Sequence, residues 1–197
     1  MLVLILGING SPRADGATGV AIQRALDAAM AVDAGIQARR IDLADYRISG
    51  CITCDGCSDY GRCGINDDFN LVLPLLTDPD VAGIIMAAPT YLGSMAAQGK
   101  AFLDRSMLLK RNNHPWRDKI GGAIAIGGQH GGGQEQTLQV IHTAMLCHGM
   151  LLCTALEDDC YPGCVLRNRG DEGLDDADLA RTERLGQRVA ETVLRLS

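Results

Sequence analysis

The fold follows from the apolar stretch Val81-Ala-Gly-Ile-Ile-Met-Ala-Ala88. A strand with one face in water alternates apolar and polar residues, whereas this stretch has no polar position. Continuous apolar runs are typical of strands in a parallel sheet, because helices cover both faces of such a sheet. The stretch therefore predicts a buried strand of a parallel sheet.

Strands and helices alternate on either side of this stretch. Further buried strands are predicted at Leu2–Leu6, Ile36–Ile41, Ile120–Ile126 and Met150–Ala155. Helices are predicted at Ala17–Val32, Asp67–Leu76, Met95–Leu109 and Gln134–His148, and a closing amphipathic helix is marked by Leu179, Leu185, Val189, Val193 and Leu196. Five strands in alternation with five helices predict a doubly wound α/β fold, whose ligands bind at the carboxyl ends of the strands.

Length, charge and composition narrow the class of protein. The chain has 197 residues, and we expect one domain over residues 1–197. Its net charge of −6 argues against nucleic-acid binding, which needs a cationic surface. The apolar run Leu2–Leu6 is too short for a membrane span and lacks the basic lead of a signal peptide, so we expect a cytoplasmic protein without a membrane partner. In that reducing compartment, the eight cysteines favour metal or redox roles over disulfides.

Four of the cysteines fall in one short segment, Cys51-Ile-Thr-Cys54-Asp-Gly-Cys57-Ser-Asp-Tyr-Gly-Arg-Cys63. The spacing C-x2-C-x2-C-x5-C is related to the ferredoxin run, in which thiolates at short intervals wrap one cluster. Zinc sites usually combine two separated ligand pairs, and no second C-x2-C pair is present here. The spacing favours a [4Fe–4S] cluster on a loop inserted at residues 42–65. Zinc, disulfides and reduced thiols without metal are the alternatives.

The loop after the first strand has the composition of a phosphate site. It joins a buried strand to a helix, so the first N–H groups of that helix point into the loop and favour an anion. Hydroxyls, a cation and small residues that allow close approach are supplied by Ser11, Arg13, Gly16, Ala17 and Thr18. The loop is neither a Walker loop nor a dinucleotide fingerprint, because neither spacing is present. Turn and capping roles for Ser11 and Thr18 are the simpler alternative.

Two more loops follow strands that end at the same edge of the sheet. In Pro89-Thr-Tyr-Leu-Gly-Ser-Met95, Pro89 is predicted to end the strand, and Tyr91 to pack against a flat ring. In Gly127-Gly-Gln-His-Gly-Gly-Gly-Gln-Glu135, five glycines suit a backbone that lies against a planar ligand. Taken alone, Tyr91 is better explained as a half-buried packing residue, and a flexible turn is the alternative for the glycine-rich loop.

Together these motifs resemble those of a known family. Similarity to the NAD(P)H-dependent FMN reductases, a flavodoxin-like family, is carried by Gly10-Ser-Pro-Arg13, by Pro89-Thr-Tyr-Leu-Gly-Ser-Met95 with Lys100-Ala-Phe-Leu-Asp-Arg105, and by the glycine-rich Gly127–Glu135. With the four cysteines between the second strand and the next helix, the chain resembles the iron–sulfur flavoprotein branch of that family. The resemblance extends to about Ala155 and includes the closing helix.

This resemblance implies a fold, cofactors and an assembly. It implies a flavodoxin-like five-stranded parallel sheet of order 2-1-3-4-5 with helices on both faces. It also implies electron transfer between FMN and a [4Fe–4S] cluster in a homodimer or homotetramer, with NAD(P)H or ferredoxin as electron donor and one subunit's cluster near its neighbour's flavin. The alternatives are an FMN or quinone reductase without a cluster and a zinc-stabilised flavin-binding module.

The resemblance also assigns site residues, and it leaves the redox chemistry to the cofactors. The cluster ligands that it implies are Cys51, Cys54, Cys57 and Cys63. The FMN contacts that it implies are Ser11, Arg13, Gly16, Ala17 and Thr18 in the first loop, Pro89, Thr90, Tyr91, Leu92, Gly93, Ser94 and Met95 in the second, and Gly127, Gly128, Gln129, Gly132 and Gly133 in the third.

Four cysteines and a basic region lie outside these motifs. Cys147 and Cys153 are predicted to be small core residues. Cys160 and Cys164 are predicted to be loop thiols, with a redox disulfide as the alternative. A solvated basic face, or alternatively a dock for an acidic electron carrier, is predicted from Lys100, Arg105, Lys110, Arg111, Arg117 and Lys119.

Overall fold

A computed structural model describes residues 3–129, 131–155, 163–168, 170 and 173–196. The strands are β1 (Val3–Asn9), β2 (Ile36–Asp42), β3 (Val81–Tyr91), β4 (Ser94–Met95), β5 (Ile120–Gly127), β6 (Leu151–Leu152) and β7 (Cys164–Arg167). The helices are α1 (Ala17–Met30), α2 (Gly56–Asp59), α3 (Phe69–Leu76), α4 (Ala97–Arg105), α5 (Met107–Arg111), α6 (Gln134–Cys147) and α7 (Asp176–Leu196).

The sheet has the order β2-β1-β3-β5-β6, and every pairing along this path is parallel. The short strand β4 is the antiparallel arm of a hairpin on β3. When β4 is left out of the count, the order is the predicted 2-1-3-4-5. The doubly wound α/β arrangement is therefore confirmed.

Two apolar cores cover the faces of this sheet. Side chains of β1 alternate between them, since Leu4 and Leu6 face one core and Val3 and Ile5 face the other. The first core includes buried side chains of α3, α4, α5 and α6, and the second those of α1 and α7. Helices α1 and α7 approach so closely that a Cβ on Gly186 would lie 1.9 Å from the carbonyl oxygen of Ala25. Helices thus cover both faces of the central strands, so a ligand can reach the sheet only at the ends of the strands.

Pro89 does not end β3, so that prediction is wrong. The strand continues to Tyr91, Pro89 lies opposite Ile126 of β5, and the Pro89 carbonyl accepts a hydrogen bond from Ala96 N–H at 3.1 Å. Proline removes only its own N–H donor, and near the end of a strand that donor can be spared. As a consequence, Met95 belongs to β4 and not to the predicted helix Met95–Leu109, which is formed by α4 and α5.

The predicted fifth strand is shorter than expected. Only β6 forms within Met150–Ala155, and β7 returns to the same side of β5 further along. Cys164, predicted to be a loop thiol, is instead buried in β7, while Cys160 lies outside the described residues. Cys153 is buried as predicted, but Cys147 is exposed at the end of α6, so its predicted core position is wrong.

Among the described residues, the helices are too short or too polar for any of them to be a membrane span.

Candidate functional site

A buried hydrogen-bond network fixes the loop between β1 and α1. Asn9 is fully buried, and its amide nitrogen donates to Asp42 Oδ1 at 2.7 Å and to the Ala14 carbonyl at 3.2 Å. Its side-chain oxygen accepts the Ser11 N–H at 3.2 Å. Arg40 on β2 donates to the same Ala14 carbonyl at 2.7 Å and to Asp42 Oδ1 at 2.6 Å. The loop is therefore held in shape by hydrogen bonds to side chains of two strands.

The groups that this loop presents are suited to an anion. Helix α1 has Gly16 as its N-cap, no side-chain cap and no acidic residue in its first turn, so its first N–H groups are available to a ligand. Ser11 and Thr18 are buried. Ser11 has the turn role that was the simpler alternative, since its Oγ accepts the Arg13 N–H at 3.1 Å. Within the described residues the exposed Arg13 guanidinium makes no ion pair, so its charge is available to a phosphate.

The second loop is a tight hairpin turn between β3 and β4. Its two central residues, Leu92 and Gly93, have φ values of 50° and 82°, as in a type I′ turn. Leucine is disfavoured in the left-handed region, and such strained residues cluster at functional sites. Leu92 is also fully exposed, and Tyr91 is about half exposed. The turn thus projects an apolar tip from the surface beside the end of β3.

The glycine-rich loop is closed by Gln134, the first residue of α6. This side chain is fully buried, and its Nε2 donates to the Gln129 carbonyl at 2.6 Å. A Cβ on Gly127 would lie 2.3 Å from that nitrogen, so a larger residue there would displace the Gln134 side chain from this hydrogen bond. Gly133 packs on the hairpin turn, since its Cβ would lie 2.8 Å from the Cα of Gly93. The third loop is therefore anchored at its base and touches the second.

One cavity at the carboxyl ends of the strands brings the three loops together. Ten of the predicted FMN contacts line it: Ser11, Arg13, Gly16, Ala17, Thr18, Pro89, Thr90, Tyr91, Gly127 and Gly128. Seven do not line it: Leu92, Gly93, Ser94, Met95, Gln129, Gly132 and Gly133. Of these, Met95 is buried in the apolar core, and Leu92 points outward at the hairpin tip. The cavity thus combines the anion-binding groups of the first loop with Thr90, Tyr91 and the backbone at Gly127 and Gly128.

Sequence reasoning missed two residues of this cavity, Ile126 and Asn168. Ile126 was predicted to lie in a strand, and only the extension of β5 to Gly127 shows that it reaches the cavity. Asn168 follows β7, and its N–H donates to the Gly127 carbonyl at 2.9 Å. No motif marks Asn168, because its position depends on the pairing of β7 with β5.

The four cysteines of the second candidate site lie on a tightly curled surface loop. Cys51 and Cys54 are exposed, whereas Cys57 and Cys63 are half-buried against the apolar core. A Cβ on Gly64 would lie 2.7 Å from the Cys54 sulfur. The loop therefore folds back until the sulfur of the second cysteine lies beside the residue that follows the fourth.

A buried ion pair closes this loop at its base. The guanidinium of Arg105 binds both carboxylate oxygens of Asp67, at 2.6 and 2.9 Å. It also donates to the carbonyls of Ser49 at 3.0 Å and Ile65 at 3.4 Å, which flank the four cysteines in the sequence. Arg105 thus ties the two ends of the loop to α4. Its predicted place on a solvated face is wrong, since it is 2% exposed.

Both members of the pair keep their charge. Burial raises the pKa of Asp67, but hydrogen bonds from Arg105 and from the N–H groups of Ser49 and Phe69 outweigh this and hold the pKa below its usual value. Burial lowers the pKa of Arg105, but its hydrogen bond to Asp67 and the nearby Cys63 sulfur leave that pKa raised. The base of the loop is therefore ionic at neutral pH.

The donor set of the loop fits a thiolate-bound cluster. The four thiols lie within thirteen residues, and all are free. Two of their sulfurs accept hydrogen bonds, Cys57 from Arg111 at 3.3 Å and Cys51 from Thr53 N–H at 3.4 Å. Among the described residues, no three His, Cys, Asp or Glu side chains lie close enough together to ligate one metal ion. A [4Fe–4S] cluster does not need its ligands so close together, because each thiolate binds a different iron.

The chain is similar to known proteins over most of its length. The family model described as NADPH-dependent FMN reductase matches residues 3–156. An iron–sulfur flavoprotein of Methanocaldococcus jannaschii is 38% identical over 191 residues, which is 96% of each chain. An iron–sulfur flavoprotein of Methanosarcina thermophila is 36% identical over 85% of this chain and 84% of its own.

A solved structure agrees with the fold. The WrbA-like flavodoxin of Agrobacterium tumefaciens superimposes with a TM-score of 0.65 at 20% identity, over 99% of this chain and 98% of that one. At this identity the likeness concerns the fold alone, and it confirms the flavodoxin-like prediction. From the family match and the relatives, the chain belongs to the NADPH-dependent FMN reductase family, in which it groups with the iron–sulfur flavoproteins, and it is an FMN-dependent oxidoreductase.

Proposed function

We propose that the protein transfers electrons between a [4Fe–4S] cluster held by Cys51, Cys54, Cys57 and Cys63 and an FMN in the three-loop cavity. The observation that carries the proposal is that Arg105 closes a loop of four free thiols on the same chain that forms the cavity. A cluster exchanges one electron at a time and FMN one or two, so the pair can link one-electron carriers to two-electron chemistry. An acidic one-electron carrier or NAD(P)H is the proposed donor.

The residues of the chain have separate tasks in this proposal. Arg13 and the first N–H groups of α1 bind the phosphate, and Tyr91 with the backbone at Gly127 and Gly128 lies along the ring. The four thiolates bind the irons, and the buried network around Asn9 keeps the phosphate loop in place. Because the two sets of residues come from different loops, loss of one cofactor leaves the other site intact.

Anaerobic purification of wild-type protein and two cysteine variants tests the proposal. We expect wild-type protein to contain FMN and about four irons and four sulfides per chain. Cys54→Ala should lose iron and sulfide but keep FMN, since this thiol lies outside the cavity. The control Cys147→Ala removes an exposed thiol outside the loop and should keep both cofactors.

Other compositions would contradict the proposal in distinct ways. Wild-type protein that is yellow and free of iron would be a reductase without a cluster. Wild-type protein with zinc in place of iron would have the zinc-stabilised site. A full complement of iron and sulfide in Cys54→Ala would remove that cysteine from the ligand set.

Arg13→Ala should weaken FMN binding by about 1.5–3 kcal/mol, the usual contribution of a hydrogen bond to a charged group. Riboflavin has no phosphate, so its affinity should stay nearly the same. Fluorescence titration with both flavins measures this difference. Arg24→Ala, which removes an exposed cation of α1 that pairs with Glu183, is the matched control and should change neither affinity. Equal losses for FMN and riboflavin in Arg13→Ala would place Arg13 away from the phosphate.

We also propose that the protein is a homodimer or a dimer of dimers, with residues 51–65 at or near an interface. Exposed apolar side chains beside both sites support this proposal, Tyr91 and Leu92 at the hairpin and Ile52 and Tyr60 in the cysteine loop. Twofold copies can cover such patches with each other. Met95, the last residue of the second loop, is buried in its own core and is not available to a partner. Light scattering at low micromolar concentration should give a dimer or tetramer, and a monomer that carries both cofactors would contradict this.

A further inference from the structure

A second arginine, Arg111 at the end of α5, contacts the cysteine loop. Its Nη1 lies 3.3 Å from the Cys57 sulfur and 3.1 Å from Asp55 Oδ1. The next residue, Asn112, donates to the Cys57 carbonyl at 3.2 Å and to the Leu108 carbonyl at 2.9 Å. Asn112 therefore holds the end of α5 against α2 independently of Arg111, and the guanidinium is free to act on the sulfur by its charge.

The four sulfurs consequently lie in unequal surroundings. Cys57 has the Arg111 guanidinium beside it, and Cys63 interacts with Arg105, whose charge is balanced by Asp67. Cys51 and Cys54 are exposed to solvent. The Arg111 guanidinium also forms an ion pair with the Asp55 carboxylate. Asp55 is the more exposed partner, with 57% of its side chain accessible against 35% for Arg111. A cation thus lies beside the Cys57 sulfur, and an anion lies beside that cation.

Charges at this position act on the cluster's redox equilibrium. When a cluster takes up one electron from an external reductant, no bond forms or breaks, and the cluster gains one negative charge. A neighbouring cation stabilises that state and a neighbouring anion opposes it, and hydrogen bonds to the sulfurs act in the same direction as the cation. The protein can therefore set the potential with residues that are not ligands.

We propose that Arg111 and Asp55 are an opposed pair that tunes the reduction potential of the cluster, with Arg111 raising it through Cys57 and Asp55 lowering it. This inference rests on the proposed function, since it needs the cluster. Neither residue binds iron, so both act through the ligand Cys57 as positioning residues. Because the pair is partly exposed, its effect should shrink as salt is added.

Opposite shifts in two variants test the pair. Anaerobic redox titration of wild-type protein, Arg111→Gln and Asp55→Asn, followed by electron paramagnetic resonance of the reduced cluster, measures the potential directly. At a fixed solution potential, we expect the ratio of reduced to oxidised cluster to fall about tenfold in Arg111→Gln, which is a shift of 59 mV for one electron. The ratio should rise in Asp55→Asn, which keeps a side chain that tolerates the left-handed backbone at this position (φ 57°).

Arg117→Gln is the matched control, because it removes the same charge from an exposed residue whose side chain lies against Gly149. This variant should leave the ratio unchanged. If the ratio changed equally in Arg117→Gln and Arg111→Gln, the change would come from the net charge of the protein and not from the position of Arg111. That result would overturn the proposal. Shifts of the same sign in Arg111→Gln and Asp55→Asn, or no shift in either, would also overturn it.

Iron and sulfide content separates this inference from the proposed function. If Arg111→Gln lost iron and sulfide, Arg111 would be a structural residue of the loop and not a tuning residue. If wild-type protein contained no iron, the proposed function would fail, and this inference with it. Tuning is supported only if all four proteins hold a full cluster and the two potentials move apart.

Discussion

The ion pair between Arg105 and Asp67 is the interaction on which the cysteine loop depends. The loop has no apolar core of its own at Cys51 and Cys54, so burial does little to fix it. The ion pair fixes the loop through hydrogen bonds instead. The Arg105 guanidinium donates to the carbonyls on both sides of the cysteines, and Asp67 accepts the Ser49 N–H at 2.9 Å. Arg105 also lies 5.0 Å above the Phe69 ring, which ties it to α3. The ends of the loop are thereby fixed to two helices.

The three-loop cavity is held by a different kind of contact. Its loops are short connections between strand ends and helices, and two fully buried amide side chains, Asn9 and Gln134, bind their backbone. Buried polar groups of this kind hold a backbone firmly, because any shift would leave them without partners. The cavity is therefore determined by the sheet, whereas the cysteine loop is an addition fastened from α4. Because of this difference, we expect that either proposed cofactor can be lost without damage to the other site.

The features that could be predicted from the sequence are those that depend on residues close together in the chain. Apolar runs such as Val81–Ala88 predicted the strands, and their alternation with helices predicted the doubly wound fold. The family resemblance implied the sheet order, and the spacing of the cysteines indicated their joint role. What sequence reasoning missed depends on contacts between distant segments. Arg105 looked like one surface cation among several, because its partner Asp67 is thirty-eight residues away. Asn168 reaches the cavity only because β7 pairs with β5, and Pro89 stays within β3 because the hairpin to β4 continues it.

The most direct measurement of the role of Arg105 is the cofactor content of Arg105→Met, purified anaerobically beside wild-type protein and Lys100→Met. Removal of one partner of a buried pair typically costs about 3–5 kcal/mol, and here that cost falls on the base of the loop. Lys100→Met breaks only the exposed pair of Lys100 with Asp104 on the same helix. The predicted result is that Arg105→Met keeps FMN but loses most of its iron and sulfide, whereas Lys100→Met keeps all three. An Arg105→Met protein with a full complement of iron and sulfide would contradict the account.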